Sequence, residues 1–142
     1  DDLEKTGDES ILHKHSEQLG RSQLYDNRKF LQVAFKSKNL SKIVRFLSKS
    51  KNQLAHLALE KITKNCPIAM TYTLEMLSRL TPKSRIEDAL DLEYRFTSRA
   101  QEYGNFQEGI RAAIIDKDRK PKWRFKIDTV PKEVIAEFFK PI

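Results

Sequence analysis

The sequence is poor in the residues that metal sites, disulfides and membrane spans require. It has one cysteine, three histidines, four glycines and five prolines, and no apolar run approaches the ~18 residues of a membrane-spanning helix. The single cysteine, Cys66, excludes an intrachain disulfide and a multi-cysteine metal site, which is typical of a reducing compartment. His13 and His15 would point in different directions on a helix, so they could not share a metal ion. We therefore expect no metal centre and no membrane span.

Length and composition indicate one globular domain. The chain has 142 residues, of which 39% are hydrophobic and 33% are charged. A domain of this size buries about 68–70% of the surface that its unfolded chain exposes, which is enough for a packed core. The first ten residues, DDLEKTGDES, are acidic and lack an initial Met, so they resemble neither a signal peptide nor a transit peptide. We expect a fragment of a longer protein.

Positive charge is concentrated in two runs, within a formal net charge of +7. Such clusters indicate either an anionic partner or solvated helix faces. For the first run we favour solvated faces, because its charges alternate with an apolar stripe. The first run has no acid among its cations, which are Lys36, Lys38, Lys42, Arg45, Lys49 and Lys51. The second is interrupted by Asp116 and Asp118, and its cations are Lys117, Arg119, Lys120, Lys122, Arg124 and Lys126.

The hydrophobic pattern predicts helices over most of the chain. Residues 1–21 show no sustained period and are interpreted as a linker or extended arm, whereas residues 22–142 are interpreted as one helical domain. Asn39 and Asn52 are predicted N-caps, and Pro67 is a predicted first helical residue. The apolar residues predicted to face inward in these helices are Leu40, Ile43, Val44, Leu47, Leu54, Leu57, Ala58, Ile62, Ile68, Ala69, Tyr72, Met76, Leu77 and Leu80.

Two capping boxes are predicted to start the later helices. Ser84-Arg85-Ile86-Glu87 would start a long helix, and Gly104 would end it in the left-handed conformation. Asn105-Phe106-Gln107-Glu108 would start the next helix at once, with Glu108 as the carboxylate that reaches back to the cap. The residues expected to face inward are Ile86, Ala89, Leu90, Phe96, Ala100, Tyr103, Phe106, Gly109, Ile110, Ala113 and Ile114.

The last segment has no helical period until near its end. Residues 125–129 alternate between apolar and polar, which indicates an extended strap that is too short for a credible sheet. Pro131 then starts a short helix that ends in Phe138 and Phe139. We predict an all-α fold of about six to seven helices.

Sequence patterns typical of catalysis are missing. There is no glycine-rich phosphate loop, no His-Glu-x-x-His and no serine in a nucleophile elbow. The acidic residues at 87–93 are better explained by capping and solvated helix faces than by an acid–base pair. Cys66 is interpreted as a helix-start residue rather than a reactive thiolate, because no histidine lies near it in sequence.

One junction combines cations with an aromatic ring. Lys117, Lys120 and Lys122 offer charges for a phosphate, and Trp123 offers a face for a flat ring. The alternative is a solvated tail whose tryptophan packs on the helices.

The stretch from Glu87 to Trp123, EDALDLEYRFTSRAQEYGNFQEGIRAAIIDKDRKPKW, resembles the C-terminal region of the 3-hydroxyisobutyryl-CoA hydrolases. This family lies in the crotonase (enoyl-CoA hydratase/isomerase) superfamily and writes the matching elements approximately as MEYR, DFxEGVRA, LIDKD and PKW. The elements are specific when taken together in order. Further upstream, Cys66-Pro67-Ile68-Ala69-Met70 is similar to the family's Ser-Pro-Thr-Ser helix start, with a cysteine that weakens the cap. Here the matching elements are Glu93-Tyr94-Arg95, residues 105–112, residues 115–118 and Pro121-Lys122-Trp123.

The resemblance implies a helical C-terminal domain that packs on a crotonase core of ββα turns. In the family that core supplies the oxyanion hole and the paired carboxylates, so no catalytic residue is expected within this segment. The helices would help to close the acyl-CoA site, with Lys117 at the CoA nucleotide and Lys120, Lys122 and Trp123 beside it. CoA is then part of the substrate, and no cofactor is expected. The residues given a structural or packing role are Glu93, Phe106, Glu108, Gly109, Ile110 and Arg111.

The resemblance leaves three functions open. The first is a contribution to CoA-thioester hydrolysis in valine breakdown, in the mitochondrial matrix where the eukaryotic members act. The second is a structural, RNA-proximal component of the mitochondrial small ribosomal subunit, which the basic run from Lys36 to Lys51 would serve. The third is a role in an enoyl-CoA hydratase or isomerase.

Overall fold

The computed structural model describes residues 2–8, 10 and 20–142. The all-α prediction is confirmed: within these residues there are nine α-helices and one π-helical segment, and no strand. The number exceeds the prediction because helices of four or five residues are too short to show a complete hydrophobic period. The elements are α1 (Asp2–Thr6), α2 (Gln23–Asp26), α3 (Arg28–Ala34), α4 (Leu40–Ser48), α5 (Gln53–Lys64), α6 (Pro67–Arg79), α7 (Ile86–Arg99), α8 (Phe106–Ile110), the π-helical segment (Arg111–Ile115) and α9 (Lys132–Phe138).

The chain divides into two compact units, Asp1–Leu31 and Gln32–Ile142. In the first unit, Ser22 caps α2 by accepting a hydrogen bond from the Tyr25 N–H, and the Arg28 guanidinium lies 4.4 Å from the centre of the Tyr25 ring. The core and the candidate site described below lie in the second unit. The division into a linker over 1–21 and a domain over 22–142 stays a prediction.

The predicted starts of the middle helices are confirmed. The Asn39 side chain accepts a hydrogen bond from the Lys42 N–H at 3.0 Å, and the Asn52 side chain accepts one from the Leu54 N–H at 2.8 Å. Pro67 is the first residue of α6, where its missing N–H leaves no bond unmade. These signals act within one turn, so the sequence alone can specify them.

Both predicted capping boxes are wrong. The Ser84 hydroxyl accepts a hydrogen bond from the Thr81 N–H instead. As a result α7 begins one residue later, at Ile86, and Asp88 reaches back to the Arg85 N–H at 2.8 Å. At the start of α8 the Asn105 side chain makes no capping bond. Its oxygen accepts a hydrogen bond from the Arg124 N–H at 3.4 Å, so a distant residue occupies the capping atom.

The predicted left-handed conformation of Gly104 is also wrong, since the positive-φ glycine of the described residues is Gly7. Gly104 is required for a different reason. A Cβ atom at this position would lie 2.6 Å from the carbonyl oxygen of Ala100. The chain turns so tightly after α7 that a side chain would collide with the backbone of the preceding turn.

The core of the second unit joins α6, α7 and α9. It is rich in aromatic rings: Tyr72 stacks on Phe139 at a centroid distance of 4.5 Å and on Phe96 at 4.7 Å. The Tyr72 hydroxyl also donates a hydrogen bond to the Leu92 carbonyl at 2.6 Å, which satisfies its polar atom. The fully or nearly buried members of this cluster are Ile68, Tyr72, Met76, Ile135, Phe138 and Phe139.

Two arginines of α7 form hydrogen bonds that hold the C-terminal segment against this core. Arg95 donates a hydrogen bond to the Phe139 carbonyl at 3.0 Å, and Arg99 donates one to the Pro141 carbonyl at 2.8 Å. Arg79 of α6 lies 3.6 Å above the centre of the Phe139 ring. The prediction that Pro131 starts a short last helix ending in Phe138 and Phe139 is confirmed: Pro131 is the N-cap and Phe139 the C-cap of α9, and both phenylalanines are buried.

A second layer is formed by α4, which packs on α5 and α6. The predicted inward residues Leu40, Ile43 and Leu47 are buried. This places Lys42, Arg45 and Lys49 on the exposed side of α4, as their spacing predicted.

Several apolar residues predicted to face inward are exposed. On α7, Ile86 is 69% exposed and Leu90 is 54% exposed, whereas Leu92 and Phe96 pack on the core. The neighbouring helices cover only one face of α7. The apolar stripe of α7 is wider than that face, so the apolar residues at its edge stay exposed. The other exposed members of the predicted inward set include Leu57, Leu77, Phe106, Ala113 and Ile114.

The remaining expectations from composition concern membranes and metals. Among the described residues no helix combines the length and apolar character that crossing a membrane requires. The same residues hold no group of three potential metal ligands of the His, Cys, Asp or Glu type. His13 and His15 lie outside the described residues. Cys66 is a free cysteine.

Candidate functional site

The candidate site is built where α8 changes into the π-helical segment. In this wider turn the Asp116 N–H bonds to the carbonyl of Arg111, five residues earlier, at 2.8 Å. Turns of this kind are rare and are frequently found at functional sites. The wider turn brings the side chains of the same two residues together, with Arg111 Nη1 2.6 Å from Asp116 Oδ2.

The Arg111 guanidinium is the centre of a hydrogen-bond network. It donates to both carboxylate oxygens of Glu108, at 2.9 and 2.7 Å, which is the fork geometry that arginine favours. It also donates to Asp118 at 2.8 Å and to the carbonyl of Lys120 at 3.1 Å. One side chain therefore joins α8, the end of the π-helical segment and the chain that follows.

The network favours the ionised form of Glu108 and Asp118. Hydrogen bonds from Arg111, followed by one from the Lys122 N–H, lower the pKa of Glu108 to about 2. The pKa of Asp118 is lowered for the same main reason, with the Lys120 N–H as the second donor. The three carboxylates in turn raise the pKa of Arg111, led by Glu108. At neutral pH these groups are fixed charges rather than proton donors.

The chain after the π-helical segment, residues 116–122, is called the cationic tail below. Two of its residues have left-handed backbone conformations, with φ of 55° at Lys117 and 54° at Arg119. Three further hydrogen bonds hold the backbone of the tail. The Arg119 N–H donates to the Ala112 carbonyl at 2.9 Å. The Lys120 N–H donates to Asp118 at 2.8 Å, and the Lys122 N–H donates to Glu108 at 2.5 Å. The side chains of Lys117, Lys120 and Lys122 are exposed.

Trp123 directly follows the cationic tail and is fixed by contacts within the protein. Its indole N–H donates a hydrogen bond to the Lys64 carbonyl at the end of α5, at 3.2 Å. Its ring lies beside Gly109, where an added Cβ atom would be 3.7 Å from the ring edge. Trp123 therefore packs on the helices, and contact of its ring with CoA stays a prediction.

An apolar groove of about 330 Å³ adjoins the ring of Trp123. Phe106 is 56% exposed and Ile114 is 64% exposed along it, and the amide of Asn105 donates a hydrogen bond to the Cys66 sulfur at 3.7 Å. The remaining residues that line the groove are Ala69, Phe96, Ala100, Gly104, Gly109 and Ile110.

A family model for enoyl-CoA hydratase/isomerase matches residues 2–139. The chain belongs to that family. It is 31% identical to the mitochondrial 3-hydroxyisobutyryl-CoA hydrolase of Gallus gallus over 109 residues, which cover 76% of this chain and 28% of the relative. It is 27% identical to the corresponding protein of Dictyostelium discoideum over 137 residues, which cover 94% of this chain and 36% of the relative.

The same family assignment follows from a solved structure. A crystal structure of an enoyl-CoA hydratase from Rhodobacter sphaeroides 2.4.1 matches with a TM-score of 0.84 and 40% identity, and the match covers 89% of this chain and 38% of that one. The family is one of enzymes, and these relatives are named for CoA-linked substrates. The chain spans 28–38% of the length of these three proteins.

The structure brings together most of the residues that the family resemblance singled out. Glu108 and Arg111 bond to each other, Glu108 accepts the Lys122 N–H, and Gly109 faces the Trp123 ring. Glu93 lies exposed on α7, outside this network. Contact of the cationic tail with CoA stays a prediction.

Sequence reasoning missed two acids and one carbonyl that take part in this candidate site. Asp116 and Asp118 were interpreted as interruptions of a basic run, but both bind Arg111. Asp116 and Asp118 lie five and seven residues after Arg111. Ion pairs within an α-helix are expected between residues three or four apart, so the α-helical spacing rule does not predict these contacts. The Lys64 carbonyl that receives the Trp123 N–H is 59 residues away in sequence.

Proposed function

We propose that this chain is the helical C-terminal part of a CoA-thioester hydrolase of the 3-hydroxyisobutyryl-CoA type. Its role is to pack on a crotonase core and to close the CoA pocket, with Lys117, Lys120 and Lys122 at the phosphates of the CoA nucleotide. The proposal places the enzyme in valine breakdown in the mitochondrial matrix. The relatives from Gallus gallus and Dictyostelium discoideum are named as mitochondrial hydrolases of this kind, which supports both parts.

The observation that carries the proposal is the ordered cationic tail. A flexible basic segment would lose conformational entropy when it bound an anion, whereas a segment that is already fixed loses less. The backbone of this tail is fixed by Glu108, Asp118 and Arg111, and its three lysine side chains are exposed. Exposed ammonium groups carried on a fixed backbone suit phosphate oxygens.

The same network supports a non-catalytic role for the chain by itself. General acid–base catalysis needs a group whose pKa lies near the working pH. Glu108 has a pKa of about 2, and the pKa of Asp118 is also lowered, so neither is suited to give or take a proton at neutral pH. The proposal therefore assigns the proton transfers and the oxyanion hole to the core.

The test is to assay hydrolysis of 3-hydroxyisobutyryl-CoA with the 142-residue chain alone and with the chain joined to a crotonase core. We expect hydrolysis only from the joined protein. The core can be taken from the Gallus gallus hydrolase, as the part of that protein outside the matched segment. Robust turnover by the chain alone would refute the proposal.

A substitution in the tail tests the proposed CoA contact. Lys117→Ala in the joined protein should raise KM for the acyl-CoA more than it lowers kcat, because it removes binding that is present before the transition state. Lys126→Ala is the matched control, because Lys126 is also exposed but lies beyond Trp123. An unchanged KM for Lys117→Ala would count against the contact.

A second candidate is a role in an enoyl-CoA hydratase. It is favoured by the 40% identity to the Rhodobacter sphaeroides protein, which exceeds the 31% identity to the Gallus gallus hydrolase. The sequence of the core that this chain accompanies decides between the two, since the core carries the chemistry. Water addition to an enoyl-CoA without thioester cleavage would establish the hydratase role.

A structural role beside ribosomal RNA is a third candidate. It is favoured by the exposed cationic side of α4, where Lys42, Arg45 and Lys49 follow one another at helical spacing. Such a role requires salt-sensitive sedimentation with the mitochondrial small subunit, because phosphate contacts release counterions. Neutralising these three residues should then abolish the association, and failure to sediment at low salt would exclude this role.

A further inference from the structure

The Arg111 side chain makes more contacts than a surface ion pair requires. Exposed ion pairs contribute little, and many bring no measurable stability. Here one guanidinium bonds to three carboxylates and a backbone carbonyl, which come from α8, the end of the π-helical segment and the cationic tail. A planar group with five N–H donors can join such partners, and a lysine ammonium cannot reproduce that geometry.

The tail needs an external hold because its backbone is unfavourable. Left-handed conformations are uncommon for residues with a Cβ atom and persist where the surroundings enforce them. Lys117 and Arg119 both adopt this conformation within three residues. Arg111 contacts both sides of this stretch, through Asp116 before it and through the Lys120 carbonyl after it.

Arg111 also controls the charge that surrounds the lysines. Glu108, Asp116 and Asp118 would attract the neighbouring ammonium groups and repel an incoming phosphate if they had no cationic partner. The Arg111 guanidinium occupies oxygens of all three carboxylates. The side chains of Lys117, Lys120 and Lys122 themselves are exposed.

We propose that Arg111 is a positioning residue for CoA: it fixes the backbone of the cationic tail and occupies the three carboxylates, so that Lys117, Lys120 and Lys122 are free to bind the CoA phosphates. This inference rests on the proposed function. Arg111 itself does not touch the substrate. Its effect on CoA is transmitted through the geometry of the tail.

The test compares Arg111→Met and Arg111→Lys with the unchanged sequence in the joined protein. Arg111→Met should raise KM for the acyl-CoA at least about tenfold while kcat changes by less than about threefold, because ground-state binding is lost. Arg111→Lys should rescue only a minor part of this loss, since a point charge cannot hold four partners. Full rescue by lysine would overturn the positioning role, because charge alone would then suffice.

A double variant separates geometry from charge. Arg111→Met combined with Asp116→Asn removes one positive and one negative charge, so the net charge of the network is unchanged. If Arg111 positions the tail, KM stays raised in this variant. If KM returns to its original value, Arg111 acts through charge alone and the positioning role is wrong.

Amide hydrogen exchange in the 142-residue chain gives a readout that does not depend on CoA. Arg111→Met and Arg111→Lys should both speed exchange of the Arg119, Lys120 and Lys122 N–H groups, while amides in α6 keep their protection. Unchanged exchange in the tail would overturn the inference. Faster exchange throughout α6 would mean that Arg111 stabilises the whole unit, which would also overturn it.

Failure of this inference can be distinguished from failure of the proposed function. A raised KM for Lys117→Ala with an unchanged KM for both Arg111 variants would remove the inference and leave the proposed function. Unchanged KM for all of these variants would remove both. A raised KM for Lys117→Ala and for the Arg111 variants, with released tail amides, is the result we expect.

Discussion

Replacement of Phe138 by alanine tests whether the aromatic cluster holds α6, α7 and α9 together. Phe138 has no exposed surface, and its ring lies 4.8 Å from the Phe96 ring, 5.8 Å from the Tyr72 ring and 6.5 Å from the Tyr103 ring. Alanine would leave the space of a phenyl ring between three helices. The neighbouring rings cannot all move to fill it, because interiors are close-packed.

The expected loss in free energy of unfolding for Phe138→Ala follows from these contacts. Burying a side chain of this size contributes about 1.5–3 kcal/mol by transfer from water, and each aromatic pair adds about 0.5–1.5 kcal/mol. These contributions overlap, so we expect a total of about 3–5 kcal/mol, which is the usual range for phenylalanine-to-alanine changes in a core. This is a large part of the ~5–15 kcal/mol by which domains are stable.

Urea unfolding of the 142-residue chain, followed by circular dichroism, measures the loss. With a slope of about 2 kcal/mol per molar urea, the midpoint should fall by roughly 1.5–2.5 M. Phe106→Ala is the matched control, and as a largely exposed side chain Phe106 should contribute about 1 kcal/mol or less. A loss below about 1 kcal/mol for Phe138→Ala, or equal losses for both variants, would refute the reasoning.

Two further predictions concern a glycine and the Arg111 network. Gly104→Ala should destabilise the protein by about 1–3 kcal/mol in the same assay, because its Cβ atom would lie 2.6 Å from the Ala100 oxygen, whereas Gly20→Ala should be neutral since nothing lies within 4 Å. A neutral Gly104→Ala would contradict the close approach. For Glu108, whose pKa falls from 4.5 to about 2, the stabilisation is fully present above pH 4.5 and is lost as the pH falls towards 2. Carboxyl NMR should show a midpoint near the lower value, and Arg111→Met should move it back up; a midpoint near 4.5 in the unchanged protein would disprove the network.

Several features whose partners lie within one helical turn were predicted correctly from the sequence. Asn39 and Asn52 cap the helices that follow them, and Pro67 begins α6, because each signal depends on neighbours two or three residues away. The buried stripe of α4 and the exposed cations beside it also followed from periodicity alone. The family resemblance, which rests on ordered motifs, is confirmed by the match over residues 2–139.

Most of the features that the sequence did not predict depend on distant partners; the Ser84 box is an exception, since the Thr81 N–H that replaces its capping bond is three residues away. Asn105 and Glu108 have the residue types of a capping box, but Arg124 and Lys122 supply N–H donors that replace the local ones. A sequence pattern does not show whether a side chain will form its local capping hydrogen bond or a hydrogen bond to a residue that is distant in sequence. The same limit applies to Ile86, whose exposure depends on how much of α7 the other helices cover.

The π-helical segment makes neighbours of two residues that a regular α-helix would keep apart. Residues four apart meet on an α-helix, whereas the wider turn here pairs Arg111 with Asp116, which is five residues later. Loss of one residue between them would restore a spacing of four, and the same ion pair could then form across an ordinary α-helical turn. Exchanges among Ala113, Ile114 and Ile115, which are exposed, should be tolerated by the network. Relatives that lack the wider turn could therefore keep the contact by having one residue fewer, whereas an inserted residue would leave the acid without a turn that fits it.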